Sequence, residues 1–155
     1  MITLETSIAH MVWSDARFLD QILQLPDRSL ALSAAPEEWS VGHLIMHLVG
    51  SAEWFNFCLT ATPWSDLLPA QTMADVRKFK SQLGDLGAVL STQVTMDDEL
   101  LTINVEDEKI LAHRSMILSQ AIMHTAEHKG QIATILKANG LHIDLDVLDL
   151  WHFTS

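Results

Sequence analysis

Cysteine is almost missing from these 155 residues: Cys58 stands alone, so no internal disulfide can form, which fits a reducing, cytoplasmic setting. Basic residues are scarce too. Nine Lys and Arg against 20 Asp and Glu leave a net charge of −11 at pH 7. That charge repels a phosphate backbone and no local lysine or arginine cluster offsets it, so nucleic acid is not an expected partner. No uninterrupted apolar run is long enough to span a bilayer, and the opening "MITLETSIAHMVW" lacks the basic start and apolar core of a signal peptide, so neither a membrane nor secretion is expected. Repeats and low-complexity linkers are also missing, because the two "WSD" triplets share no flanking pattern. One domain over residues 1–155 is the simplest expectation.

What is present suits a compact globular chain. Hydrophobic residues make up 48% and charged residues 19%, and a chain of this length buries about two-thirds of its unfolded surface without help from disulfides or a structural metal. From Leu4 to Leu25, Ile8, Val12, Leu19 and Ile22 recur at helical spacing until Pro26 and Asp27 stop the pattern. Asp15 falls in that stripe, and is read as tipped to its edge. Ser40 is a suitable N-cap for "VGHLIMHLVGSAEWFNFCL", a second helix apolar on nearly every side and therefore buried, running to a stop near "TATPWSD". A third helix spans about Thr72 to Thr92, weakened but not broken by Gly84 and Gly87. "ELLTINVEDEKILAH" reads as a hairpin whose turn lacks the usual Gly or Asn. The last long helix covers about Ser115 to Asn139 and ends at Gly140, a normal C′ residue, before an apolar tail that packs back on the bundle. The expected fold is all-α: a four-helix bundle with a small β-hairpin insertion before the last long helix.

The chemistry centres on "HTAEHKGQ", residues 124–131. His124 and His128, four apart on a helix, project from one face and could chelate one divalent ion. Two imidazoles make a weak site, so a third ligand is needed. Asp144, Asp146 and Asp149 lie in a tail of unpredictable path, whereas His47 lies midway along the second helix, which a bundle can set opposite the fourth. Gly50 and Ser51 leave room beside it. Taken alone, His47 reads as a packed core histidine with a satisfied nitrogen. His43 pairs with His47 at the same spacing but sits nearer the bundle end, and is read as a flank. His10, His113, His142 and His152 have no such partner. Trp54, two turns after His47, is placed near the pocket.

"HTAEH" also fits the inverted H-x-x-E-H pattern of zinc peptidases, with Glu127 as general base. Those enzymes take a further ligand from a downstream glutamate, and no glutamate follows Glu127. A second resemblance covers almost the whole chain. "MVWSDARFLDQIL", "WSVGHLIMHLVGSAEWF", the hairpin, "IMHTAEHKGQIATILKANG" and the closing "DLWHF", in that order and spacing, resemble the DinB family, within the DinB/YfiT-like metalloenzymes. The resemblance implies a four-helix bundle and a divalent metal, zinc or nickel foremost and iron, manganese or copper as further options. Matched motif by motif, it implies His47, His124 and His128 as ligands, the triad reached above from spacing. The family commonly carries another histidine before the last ligand and an arginine after it, where this chain has Glu127 and Lys129. Glu127 is a candidate proton acceptor beside the ligands, and Lys129 is read as its exposed neighbour.

Among the relatives that the resemblance brings in, some are thiol S-transferases using low-molecular-weight thiols such as bacillithiol, others are mycothiol-dependent isomerases, and homodimers are common. The expectation is a metal-dependent enzyme acting on a small molecule, thiol S-transferase-like or hydrolase-like. The alternatives are a non-catalytic metal-binding or stress-response module, which a fourth protein ligand would favour, and a metal-free bundle with a histidine-lined pocket.

Overall fold

A computed structural model describes residues 3–153. Four helices dominate: α1 Leu4–Ile22, α2 Val41–Thr60, α3 Met73–Gln93 and α4 Arg114–Ala138. A two-stranded antiparallel hairpin, β1 Leu100–Val105 and β2 Glu108–His113, joins α3 to α4. The main packing pairs α1 with α3 and α4, and α2 with α3 and α4, so α1 and α2 lie diagonally across the bundle and α4 faces α2 along its length. No helix among the described residues is long and apolar enough to cross a membrane.

Three of the four helices, α1 to α3, begin at a residue whose side chain caps them. Ser40 accepts a hydrogen bond from the His43 backbone N–H, and Thr72 and Asp75 form a reciprocal capping box. Such caps contribute about 1 kcal/mol each. The start of α4 is held differently, since His113 supplies no side-chain cap. Asp98 takes that role from outside, accepting from the Ser115 backbone N–H at 2.8 Å and from its hydroxyl at 2.9 Å. These bonds, the Ser115 N–H foremost, hold the Asp98 carboxyl below the usual carboxylate range. The buried Arg114 guanidinium adds a bond to the Asp97 carbonyl and one to Gln93. Gly140 closes α4 at φ +75°, with the Leu141 N–H on the Leu136 carbonyl. That left-handed step is why glycine stands there.

One expected boundary shifts. The first helix ends at Ile22 and not Leu25, because Gln24 and Leu25 bond to carbonyls three residues back in a tightened last turn before Pro26. The hairpin turn, without glycine, places Glu106 at φ 50°, in the left-handed region.

The core is nearly continuous along the bundle. Phe18, Ile45, Val49, Val76, Ile132 and Leu136 fill one end, and Ile8, Leu90, Ile103 and Leu118 fill the hairpin end. Gly42 marks the tightest crossing: a Cβ there would meet the Ala70 carbonyl oxygen at 2.1 Å. The tail returns to the bundle as expected, with Ile143 and Leu148 buried, Gln21 bonded to the Asp144 backbone, and His10 bonded to the Leu148 carbonyl at 2.8 Å.

Candidate metal centre

His47 occupies the middle of α2, and His124 and His128 the middle of α4, so the contact between those helices brings three imidazoles together. One nitrogen from each lies within 4.8 Å of the others. Ring centroids are 4.3 Å apart for His124 and His128, 4.7 Å for His47 and His128, and 4.9 Å for His47 and His124. Two of the three rings are half-buried and His128 is buried.

The shell around the rings fixes their orientation. His128 Nδ1 lies 2.7 Å from Gln131 Oε1. A Gln oxygen can only accept, so Nδ1 is the donor and Nε2 is the nitrogen left to face a ligand. The Ser51 hydroxyl, one turn after His47, sits 2.7 Å from His124 Nε2 and 3.4 Å from His47 Nε2. Trp39 packs edge-on against His47 at 4.7 Å, and Phe55 against His124 at 5.8 Å. Burial, then the neighbouring His128, lowers the His47 pKa. Burial, then the charges of His128 and His47, lowers His124 to about 4 against an opposing pull from Glu127. Both rings are therefore neutral at pH 7, the form a metal requires.

The donor set suits a divalent ion. Metal–imidazole bonds of about 2.0–2.1 Å put tetrahedral ligand nitrogens about 3.4 Å apart. Small rotations of rings already within 4.8 Å of one another would reach that spacing. No carboxylate joins the cluster among the described residues. His43 stacks on Trp39 instead, at 5.8 Å, and the Asp144 backbone is tied to Gln21 on α1. With three protein donors and no fourth, the arrangement resembles catalytic sites, which keep positions open, more than closed structural ones.

Two clefts flank the rings. One, of about 570 Å³, is walled by Trp54, Phe55 and Trp64 and reaches His47 and His124. Trp54 thus lines the pocket beside which it was expected. The other, of about 740 Å³, reaches His128 and is edged by Trp39, Glu37, Glu38 and Glu127. Glu127 is exposed on this rim.

Two expectations fail together. Asp15 is not at the edge of its stripe and Lys129 is not exposed: both are buried, with Lys129 Nζ 2.7 Å from Asp15 Oδ1. Thr125 donates to the same oxygen at 2.8 Å, and Lys129 also donates to Ser14 at 2.7 Å. Burial pushes the Asp15 carboxyl above its usual range, opposed by the Lys129 charge and by hydrogen bonds from Lys129 and Thr125. The signal was in the sequence, because Lys129 interrupts the apolar stripe of Leu118, Ala121, Ile132 and Leu136 just as Asp15 interrupts that of α1. Two opposite charges in facing stripes predict one another. The roles of Ser51 and Gln131 carried no such signal.

Comparison with known proteins agrees with this architecture. The DinB family model matches residues 1–148. No curated protein matches the chain. The fold is similar to the crystal structure of a DinB-like protein from Bacillus cereus, with a TM-score of 0.68 and 19% identity, over 91% of this chain and 93% of that one. The chain belongs to the DinB family.

Proposed function

We propose, from a DinB-family bundle whose three imidazoles meet between two clefts, that this protein is a metal-dependent enzyme in which His47, His124 and His128 hold a divalent ion, zinc or nickel foremost. The observation that carries this reading is the set of three imidazoles whose nitrogens gather within 4.8 Å of one another, with no fourth donor joining them among the described residues. Such a set leaves positions for a substrate. A divalent ion there supplies Lewis acidity, which lowers the pKa of a water or thiol that reaches it. The reaction class is then hydrolase-like or thiol S-transferase-like, with a small molecule as substrate.

The chain's own residues divide the remaining work. Gln131 holds the His128 tautomer with Nε2 free. Ser51 positions His124 and His47 through its hydroxyl. Glu127, on the rim of the His128 cleft, accepts the proton that a water or thiol releases. Phe55 and the two tryptophans exclude water from one side of the rings. The lone Cys58 is half-buried and its thiol is pushed up to about 11 by burial, so it is not the nucleophile.

The test is metal content, then activity. His124→Ala should lose most bound metal while His10→Ala, whose ring is engaged with the Leu148 carbonyl, keeps it. Equal metal in both variants would refute the ligand assignment. Metal-loaded protein screened on thiols and hydrolysable esters should turn over at least one class, with His47→Ala inactive on the same panel.

A further inference from the structure

Neither cleft is lined by a lysine or arginine. The cation nearest the histidines in sequence, Lys129, is buried and already paired with Asp15 at 2.7 Å. A ligand carrying a carboxylate away from its donor atom would find no cationic side chain on either wall. The cleft on the His128 side adds Glu37, Glu38 and Glu127, in a chain of net charge −11.

The other cleft is built for a flat apolar group. Trp54 and Trp64 meet edge to face at 5.5 Å, and Phe57 supports Trp64 at 4.8 Å. The segment carrying Trp64 is pinned by Glu53, whose carboxylate accepts from the Ser65 backbone N–H at 2.9 Å and from its hydroxyl at 2.7 Å. Gly50 keeps the floor open, since a Cβ there would meet only Leu67 at 4.0 Å. Gln120 is the one polar side chain on the wall beyond the histidines and Ser51. The volume of about 570 Å³ falls in the range of small-molecule sites.

We infer that the ligand places its donor atom at the three histidines and an aromatic or apolar body, bearing no negative charge, against Trp54 and Trp64. This rests on the metal-centre reading above and narrows it: small thiols that carry carboxylates are disfavoured, and neutral or cationic aromatic thiols are favoured.

The experiment titrates cobalt-loaded protein with benzyl mercaptan and with 4-(mercaptomethyl)benzoate, which share a thiol and a ring and differ by one carboxylate. Thiolate-to-cobalt absorption reads the donor, and tryptophan emission reads the ring. The neutral thiol should bind about tenfold tighter. Trp64→Ala should weaken it by about tenfold at unchanged cobalt content. Equal or tighter binding of the carboxylate, or unchanged affinity in Trp64→Ala, would overturn the inference. Failure to take up cobalt refutes the metal centre instead, and tryptophan emission with the same two probes on the metal-free chain then still decides the preference of the cleft.

Discussion

Replacing Asp15 with asparagine keeps the shape of the side chain and removes its charge, stranding the Lys129 ammonium in the core. Both side chains are under a tenth exposed, and the ammonium has only Asp15 and Ser14 as hydrogen-bond partners. Breaking one partner of such a buried pair costs about 3–5 kcal/mol. A ceiling comes from the escape route: a stranded lysine can release its proton, at about 1.4 kcal/mol per pH unit below the ordinary lysine value, or about 4.6 kcal/mol at pH 7. Over 155 residues the unfolding entropy is about 0.33 kcal/mol/K, so the melting temperature should fall by about 9–14 °C. Urea unfolding followed by circular dichroism at pH 7 and pH 9.5 reads both predictions, because the loss should shrink as the escape becomes easier. A double variant, Asp15→Leu with Lys129→Met, should return to within about 2 kcal/mol of wild type. A loss below about 1 kcal/mol at pH 7 would show that Asp15 is already protonated in the fold and would refute the pair. A loss that did not change with pH would refute the stranded charge.

Further predictions address packing and protonation. Gly84→Ala, where an added Cβ meets nothing within 4 Å, should stabilise by up to about 1 kcal/mol, whereas Gly42→Ala, aimed at the Ala70 carbonyl, should destabilise by about 1–3 kcal/mol, both read from thermal melts. Glu106→Gly should stabilise by about 0.4–1 kcal/mol, since Glu106 holds φ 50°, a region glycine enters freely. The folded pKa values of His47 and His124 lie below the unfolded value, His124 at about 4. The unfolded state therefore binds more protons between about pH 6.5 and 4, and the stability of the metal-free protein, full above pH 6.5, should fall across that window. In Gln131→Ala, His128 loses the acceptor 2.7 Å from its Nδ1. Metal affinity measured by competition with a chelator should then drop about 10–100-fold without loss of the fold.

Much of this architecture is legible in the sequence because helices announce themselves by period and by cap. Ser40, Thr72 and Gly140 mark ends that the structure keeps. The histidines are legible for the same reason: four residues along α4 is one turn, and a buried α2 has to face a neighbour. What escapes is whatever depends on contact between distant segments. The stretch from Ala61 to Gln71 has no period, yet Glu53 anchors it and it carries Trp64 into the cleft wall. Asp15 and Lys129 each look misplaced alone and become intelligible only as a pair across α1 and α4. Ser51 reads as a gap, and nothing in the sequence marks Gln131, until the rings are placed beside them.

The central claim, a divalent ion on His47, His124 and His128, is tested most directly by elemental mass spectrometry on protein purified without an affinity tag, with His47→Ala and His128→Ala prepared alongside. About one equivalent of metal per wild-type chain is expected, with most of it lost in both variants. Wild-type protein without metal and with no uptake of added zinc or nickel, or variants that bind as much as wild type, would contradict it.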